Sequence, residues 1–141
     1  MISRAEWIAG SREGSRVSVS YTWQLPCDST APAQGRWHVR ELAASDIDAI
    51  DAELVVSELI TNAWKHGTGE GGIVLQVELR EEGMHIDVCS NAHGTPCVDA
   101  SENPADASGR GLLLIEELAD RWGYERRGDS LCVWADIPHR G

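Results

Sequence analysis

The chain contains no phenylalanine, and Lys65 is its only lysine. Lysine and arginine together number 12 against 23 aspartates and glutamates, a formal net charge of −11. Phosphate contacts need a concentrated basic face, so this balance argues against direct nucleic-acid binding and suits a basic protein partner instead. No apolar run approaches the ~20 residues needed to cross a bilayer. The opening Met1-Ile2-Ser3-Arg4-Ala5-Glu6-Trp7 also lacks the long apolar stretch of a signal peptide, so a cytoplasmic protein without membrane contact is expected. Cysteine is scarce: Cys27, Cys89, Cys97 and Cys132 are irregularly spaced, which predicts reduced thiols and not a disulfide framework. No G-x-x-x-x-G-K-[ST] occurs, which excludes a P-loop. What remains is 141 residues, 42% of them hydrophobic, enough for one domain with a single core.

Residues 1–16 are polar and rich in Gly, Ser and Arg, and predict a poorly ordered lead-in to a single domain over 17–141. Val17 to Trp23 alternates with period two and predicts a strand closed by Pro26. A helix is expected from about Ser29 to Ala44, with Pro32 in its first turn. Ser45-Asp46 offers caps for a second helix running through His66 and stopped by Gly67. Ile73–Arg80 and Met84–Ser90, joined by Glu81-Glu82-Gly83, read as a hairpin. The stretch from Asn91 to Ser108 is long for a connector and points to a functional loop. A third helix over Gly109–Ala119 and closing strands over Arg121–Arg126 and Leu131–Ile137 complete the pattern. Helices alternating with hairpins predict an α+β, two-layer sandwich, its mostly antiparallel sheet covered by helices on one face. The other face is left for solvent or a partner.

Between Leu54 and Trp64 the polar residues are Ser57, Glu58, Thr61 and Asn62, which on a helix form one narrow stripe. A solvated face would be wider and more charged, so a carboxylate and an amide among apolar neighbours suit the lining of a cleft. They equally suit polar groups hydrogen-bonded at the edge of a core. The pattern alone leaves both readings open.

The run Glu53-Leu54-Val55-Val56-Ser57-Glu58-Leu59-Ile60-Thr61-Asn62-Ala63-Trp64-Lys65-His66-Gly67 resembles the asparagine box of the Bergerat-fold ATPases, especially the form in bacterial anti-sigma-factor serine kinases. Ser108-Gly109-Arg110-Gly111-Leu112-Leu113-Leu114-Ile115, then Leu118-Ala119-Asp120-Arg121-Trp122-Gly123, resembles the second glycine box of that family, and Val133-Trp134 its last strand. Order and spacing agree from about Trp23 to Pro138. The resemblance implies ATP and Mg²⁺ as ligands, with the Asn62 side-chain oxygen on the metal and the phosphates supplying most other ligands. It implies Glu58 as the base for the attacking hydroxyl. Gly109 and Gly111, with Leu112 opening the helix, would bring backbone N–H groups to the phosphates. Arg110 has two readings, a phosphate ligand or an outward-facing side chain. Lys65 and His66 near the cleft mouth are read as ligand neighbours or as compensation of the helix dipole. Partner roles also follow from the resemblance alone: a sigma factor, and an antagonist protein phosphorylated on serine, with a homodimer as a family expectation.

Two positions depart from that pattern. Where the family offers an aspartate to the adenine amino group, this chain has Ser90, or Asn91 if the register slips by one; Asp87 lies three residues away and so on the opposite face. A threonine that commonly precedes the Val-Trp pair is Cys132. If both line one pocket, losing a charged hydrogen bond to the base costs about 1.5–3 kcal/mol, roughly ten- to a hundredfold in affinity. The rival to a kinase is therefore a protein-binding module with a degenerate adenine pocket, and a third possibility is a purely structural domain of this fold. No histidine-bearing dimerisation helix is visible ahead of the domain, so a complete sensor kinase is not expected.

Two other patterns are set aside. Gly67-Thr68-Gly69-Glu70-Gly71-Gly72 matches G-x-G-x-x-G but follows a helix and precedes a strand, the reverse of a dinucleotide fingerprint. His85, Cys89, His93 and Cys97 recur every fourth residue, yet a strand followed by a loop spreads them over more than ~13 Å.

Overall fold

The structure, a computed structural model, describes residues 4–8, 18–43, 49–66, 71–91 and 107–138. Among the described residues six strands form one sheet in the order β1-β2-β3-β4-β6-β5, and every neighbour pair is antiparallel. The strands are β1 (Arg4–Ile8), β2 (Ser18–Leu25), β3 (Ile73–Arg80), β4 (Gly83–Asn91), β5 (Arg121–Arg127) and β6 (Ser130–Pro138). The helices are α1 (Ala31–Leu42), α2 (Ala49–His66) and α3 (Ala107–Leu118). The expected α+β sandwich is therefore the observed one. No described helix is long and apolar enough to cross a membrane.

Alternation fixes which face each strand turns to the helices. Trp23 and Leu25 in β2, Ile73, Leu75 and Val77 in β3, and Ile86 and Val88 in β4 are buried in the common core. In β6 the odd-numbered residues Leu131 to Ile137 complete the core, and the even-numbered ones point outward. α2 lies over this face with Ala52, Val55, Val56, Leu59 and Ile60 buried, the i, i+3, i+4, i+7, i+8 stripe that its sequence carries. α1 packs alongside α2, with Pro32 in its first turn as expected and with no side chain at Gly35. A Cβ there would come 2.2 Å from Ile60 Cδ1, so the absence of a side chain at Gly35 lets the two helices approach closely. Arg40 pairs with Glu53 across the same contact at 2.8 Å.

One expectation fails at the N-terminal end. Arg4–Ile8 lies inside the stretch predicted to be a poorly ordered lead-in, but it forms an edge strand paired with β2 from Arg4↔Thr22 to Ile8↔Ser18. The reason is that β2 is an alternating strand with an unpaired edge, which even a short segment ending in Trp7-Ile8 can extend. The proposed caps Ser45-Asp46, the G-x-G-x-x-G residues 67–70, and most of the 91–108 loop, His93 and Cys97 included, lie outside the described residues.

The outer face is polar. Asp136 in β6 accepts from Arg121 at 3.2 Å and faces His85 Nδ1 at 2.5 Å, while the His85 ring stacks on Trp134 at 5.6 Å. Further along, Arg127 donates to Asp87 Oδ2 at 3.3 Å and to Glu125 at 3.0 Å. Between these groups Cys89 and Cys132, direct partners in the β4–β6 ladder, form a disulfide. This corrects the expectation of four reduced thiols. The spacing looked irregular because the two residues are 43 positions apart and only the antiparallel register brings them opposite each other.

Candidate functional site

α2 sorts its polar residues onto different flanks, because each residue turns the helix by about 100°. Ser57 faces α1, where it accepts a hydrogen bond from Arg36 Nη1 at 2.8 Å, so the predicted four-residue stripe does not act as one unit. Glu58 and Asn62 stand on the other flank, one turn apart. Glu58 is half-buried, and desolvation pushes its carboxyl above the ordinary 4.5, with the Lys65 charge pulling back. Lys65 itself is exposed, and His66 closes the helix.

Asn62 is the most informative side chain. Its Oδ1 and Nδ2 are both shielded from solvent, and neither has a hydrogen-bond partner among the described residues. A buried primary amide with both ends unsatisfied costs about 1–3 kcal/mol per unpaired group, and native proteins rarely retain one without a use for it. An amide oxygen held this way is a hard, neutral ligand of the kind Mg²⁺ accepts beside phosphate oxygens. The residues present therefore fit Mg²⁺ bound together with a nucleoside triphosphate.

Topology decides what else lies near Asn62. α2 ends at His66 and β3 begins at Ile73, so the C-terminal end of the helix is tied to that end of the sheet. Ile73 pairs with Ser90, and Ser90 pairs with Leu131. Ser90 is buried in the helix-facing row of β4, two residues beyond Val88, and therefore shares both the face and the end of the sheet with the last turns of α2. α3 is fixed at its other terminus: Ala119 N–H donates to Ile115 O, and Asp120 N–H to Asp136 O at 2.8 Å. Gly109, Arg110, Gly111 and Leu112 therefore lie in the half of α3 away from Asp136. Those four residues were expected to meet the phosphates as a glycine-rich entry to a helix. In the structure the helix begins at Ala107, so both glycines are already helical and the free amide donors of the first turn belong to residues 107–110.

Two expected site residues lie elsewhere. Cys132 does not share a pocket with Ser90, because Cys132 and its core-facing neighbours Leu131 and Val133 point to opposite sides of β6. It is instead held on the outer face by Cys89. Asn91 is also in the outer row, where it accepts from Ser130 Oγ at 3.3 Å, so of the two residues only Ser90 faces the helices. Asp87 lies on the face opposite Ser90, as the strand alternation predicted, and burial raises its carboxyl although Arg127 partly offsets this. Nothing in the sequence marked the Asp87–Arg127 pair, which depends on β4 and β5 flanking β6; knowing that strand order would have revealed it.

The histidine kinase domain of the blue-light activated histidine kinase of Erythrobacter litoralis EL346 superposes with a TM-score of 0.49 at 20% identity, over 81% of this chain and 61% of that one. This chain thus spans less than two thirds of the length of that solved domain. The family description "histidine kinase-like ATPase domain" matches residues 31–137, which takes in α1, α2 and α3 and all strands from β3 to β6. Asn62, Glu58 and the helix-facing Ser90 all fall within that match, and the chain belongs to the histidine kinase-like ATPase domain family.

Proposed function

We propose that this protein binds Mg-ATP and transfers its γ-phosphoryl group to a serine or threonine hydroxyl of a protein substrate, in the manner of anti-sigma-factor kinases. The observation that carries the proposal is the unsatisfied amide of Asn62 one turn beyond the half-buried Glu58. Mg²⁺, held by the Asn62 oxygen and the phosphates, would neutralise charge on the triphosphate. Glu58 takes the proton from the attacking hydroxyl as the new O–P bond forms and the bond to ADP breaks. A carboxylate raised by desolvation is a stronger base than an exposed one, which suits this role. The first turn of α3 contributes backbone N–H donors to the phosphate end. The physiological pair implied by the resemblance is a sigma factor held by the domain and an antagonist protein that is its phosphorylation target. The cytoplasm is the matching location.

One observation favours a second reading, a protein-binding module that does not turn over ATP. Ser90 stands where an adenine-binding carboxylate is expected and offers only a neutral hydroxyl to the base. Cys132, facing away, neither adds to nor subtracts from that pocket.

Calorimetric titration of Mg-ATP into the purified chain separates the two. The kinase reading expects saturable heat, with Trp64 emission changing in parallel because Trp64 packs partly buried two residues beyond Asn62. No response at millimolar nucleotide would refute the kinase reading. Asn62→Ala is expected to weaken Mg-ATP binding about ten- to a hundredfold and to remove its magnesium dependence. It should cost no stability, and even add about 1 kcal/mol, since it removes a buried amide that has no partner. A variant that unfolds more easily yet binds as before would refute the assignment of Asn62.

A further inference from the structure

On the outer face of the sheet, remote from the Asn62 flank of α2, Asp87, Cys89 and Cys132 place one carboxylate oxygen and two sulfurs within 4.8 Å of one another. We propose that reduction of the Cys89–Cys132 disulfide converts this cluster into a zinc site whose ligands are the two thiolates and the Asp87 carboxylate. Three features of the fold support it. Cys89 and Cys132 are direct cross-strand partners with Cα atoms 4.0 Å apart, close enough for both sulfurs to reach one tetrahedral zinc at ~2.3 Å. Asp87 is two residues before Cys89 and therefore projects from the same side of β4, with the ladder fixing its distance. Two soft sulfur ligands with one oxygen select zinc over magnesium or calcium, and three protein ligands leave a fourth position for water.

Arg127 gates the cluster. Its guanidinium lies 3.8 Å from Cys89 Sγ and 3.3 Å from Asp87 Oδ2, and it also donates to Glu125 at 3.0 Å. When zinc neutralises the sulfur and carboxylate charges, Arg127 retains Glu125 as a partner and can swing aside without being left unpaired. This cluster differs from the His85, Cys89, His93, Cys97 spacing, since His85 is engaged by Asp136 on the same face.

The chemistry balances with a dithiol as reductant. The Sγ–Sγ bond accepts two electrons and two protons, and the dithiol becomes a disulfide. Zinc then displaces the two thiol protons to solvent. Disulfide and metal are thus alternative clasps of the same two strands.

The test uses the full chain carrying Cys27→Ser and Cys97→Ser, so that Cys89 and Cys132 are its only sulfhydryls. After reduction with a trialkylphosphine, Co²⁺ is expected to bind with a thiolate-to-metal charge-transfer band, to be displaced by an equivalent of Zn²⁺, and to give no band with the oxidised chain. Asp87→Asn keeps both sulfurs and is expected to weaken Zn²⁺ binding by about tenfold or more, and Cys132→Ser to abolish the cobalt band. Absence of the band in the reduced chain overturns the site, as does a band that survives Cys132→Ser. Unchanged Zn²⁺ affinity in Asp87→Asn overturns the three-ligand set. Circular dichroism identifies any variant that fails to fold, and Asp87→Asn, which can still form the disulfide, then carries the test. None of these readouts involves nucleotide, so they stand or fall apart from the kinase reading.

Discussion

Glu58→Gln is expected to slow phosphoryl transfer by about a hundred- to ten-thousand-fold while leaving Mg-ATP binding nearly unchanged. The amide keeps the shape and hydrogen-bonding reach of the carboxylate but cannot accept the proton of the attacking hydroxyl. A single-turnover assay with labelled ATP, read beside calorimetry, separates the two quantities. The pH profile adds a second signature. Burial raises the Glu58 carboxyl above 4.5, so the wild-type rate should climb with pH through an ionisation displaced upward from the ordinary carboxylate range. The Gln variant should lack that limb. Stability moves the other way: between the unfolded and the raised folded value the native chain holds more protons, so this group's contribution falls as pH rises through that window. Equal losses of binding and rate in Glu58→Gln would show that Glu58 positions nucleotide and does not act as the base.

The largest effect on stability is expected at Gly83, where β4 begins against the end of β6. Its φ is +155°, and a Cβ there would lie 2.0 Å from the carbonyl oxygen of Ile137 and 3.0 Å from its carbonyl carbon. Both are backbone atoms, fixed by the ladder that pairs Gly83 with Pro138 and Met84 with Ile137. The clash is relieved only by opening that end of the sheet. Gly83→Ala should therefore cost about 3 kcal/mol or more, a substantial share of the ~5–15 kcal/mol that holds a typical domain together. The control is Gly128→Ala. Gly128 also has a positive φ, +64°, but nothing lies within 4 Å of the added methyl, so only the backbone strain of about 1–2 kcal/mol is expected. Urea midpoints for the two variants, at unchanged slope, should differ accordingly, and equal midpoints would contradict the contact geometry at Gly83.

How much of this was legible in the sequence depended on the range of the interaction involved. α2 was readable because its apolar residues recur at helical spacing, and the β3–β4 hairpin because its alternation and turn are local. The pairing of Glu58 with Asn62 was readable for the same reason. The separation of Ser57 from them was not, because it depends on which flank α1 covers, a fact carried by Arg36 in another helix. The opposite orientations of Ser90 and Cys132 follow from register across β4 and β6, which no local window contains. The same register hid the disulfide and the Asp87–Arg127 pair. β1 was missed because its polar segment gains order only by adding to an edge that β2 supplies.

The Cys89–Cys132 bond closes the backbone into a ring. The ring contains the connection from β4 to α3, the whole of α3 with its glycines, and β5. A single backbone cut anywhere between those two cysteines yields a nicked molecule and not two fragments, which run together on a gel until a reductant is added. By chain-entropy reasoning, closing a ring of this size favours the folded state by about 4 kcal/mol. The segment that carries α3 is thus tethered at both ends to adjacent interior strands of the sheet, β4 and β6, and it stays at high effective concentration beside α2 even when its own backbone is broken.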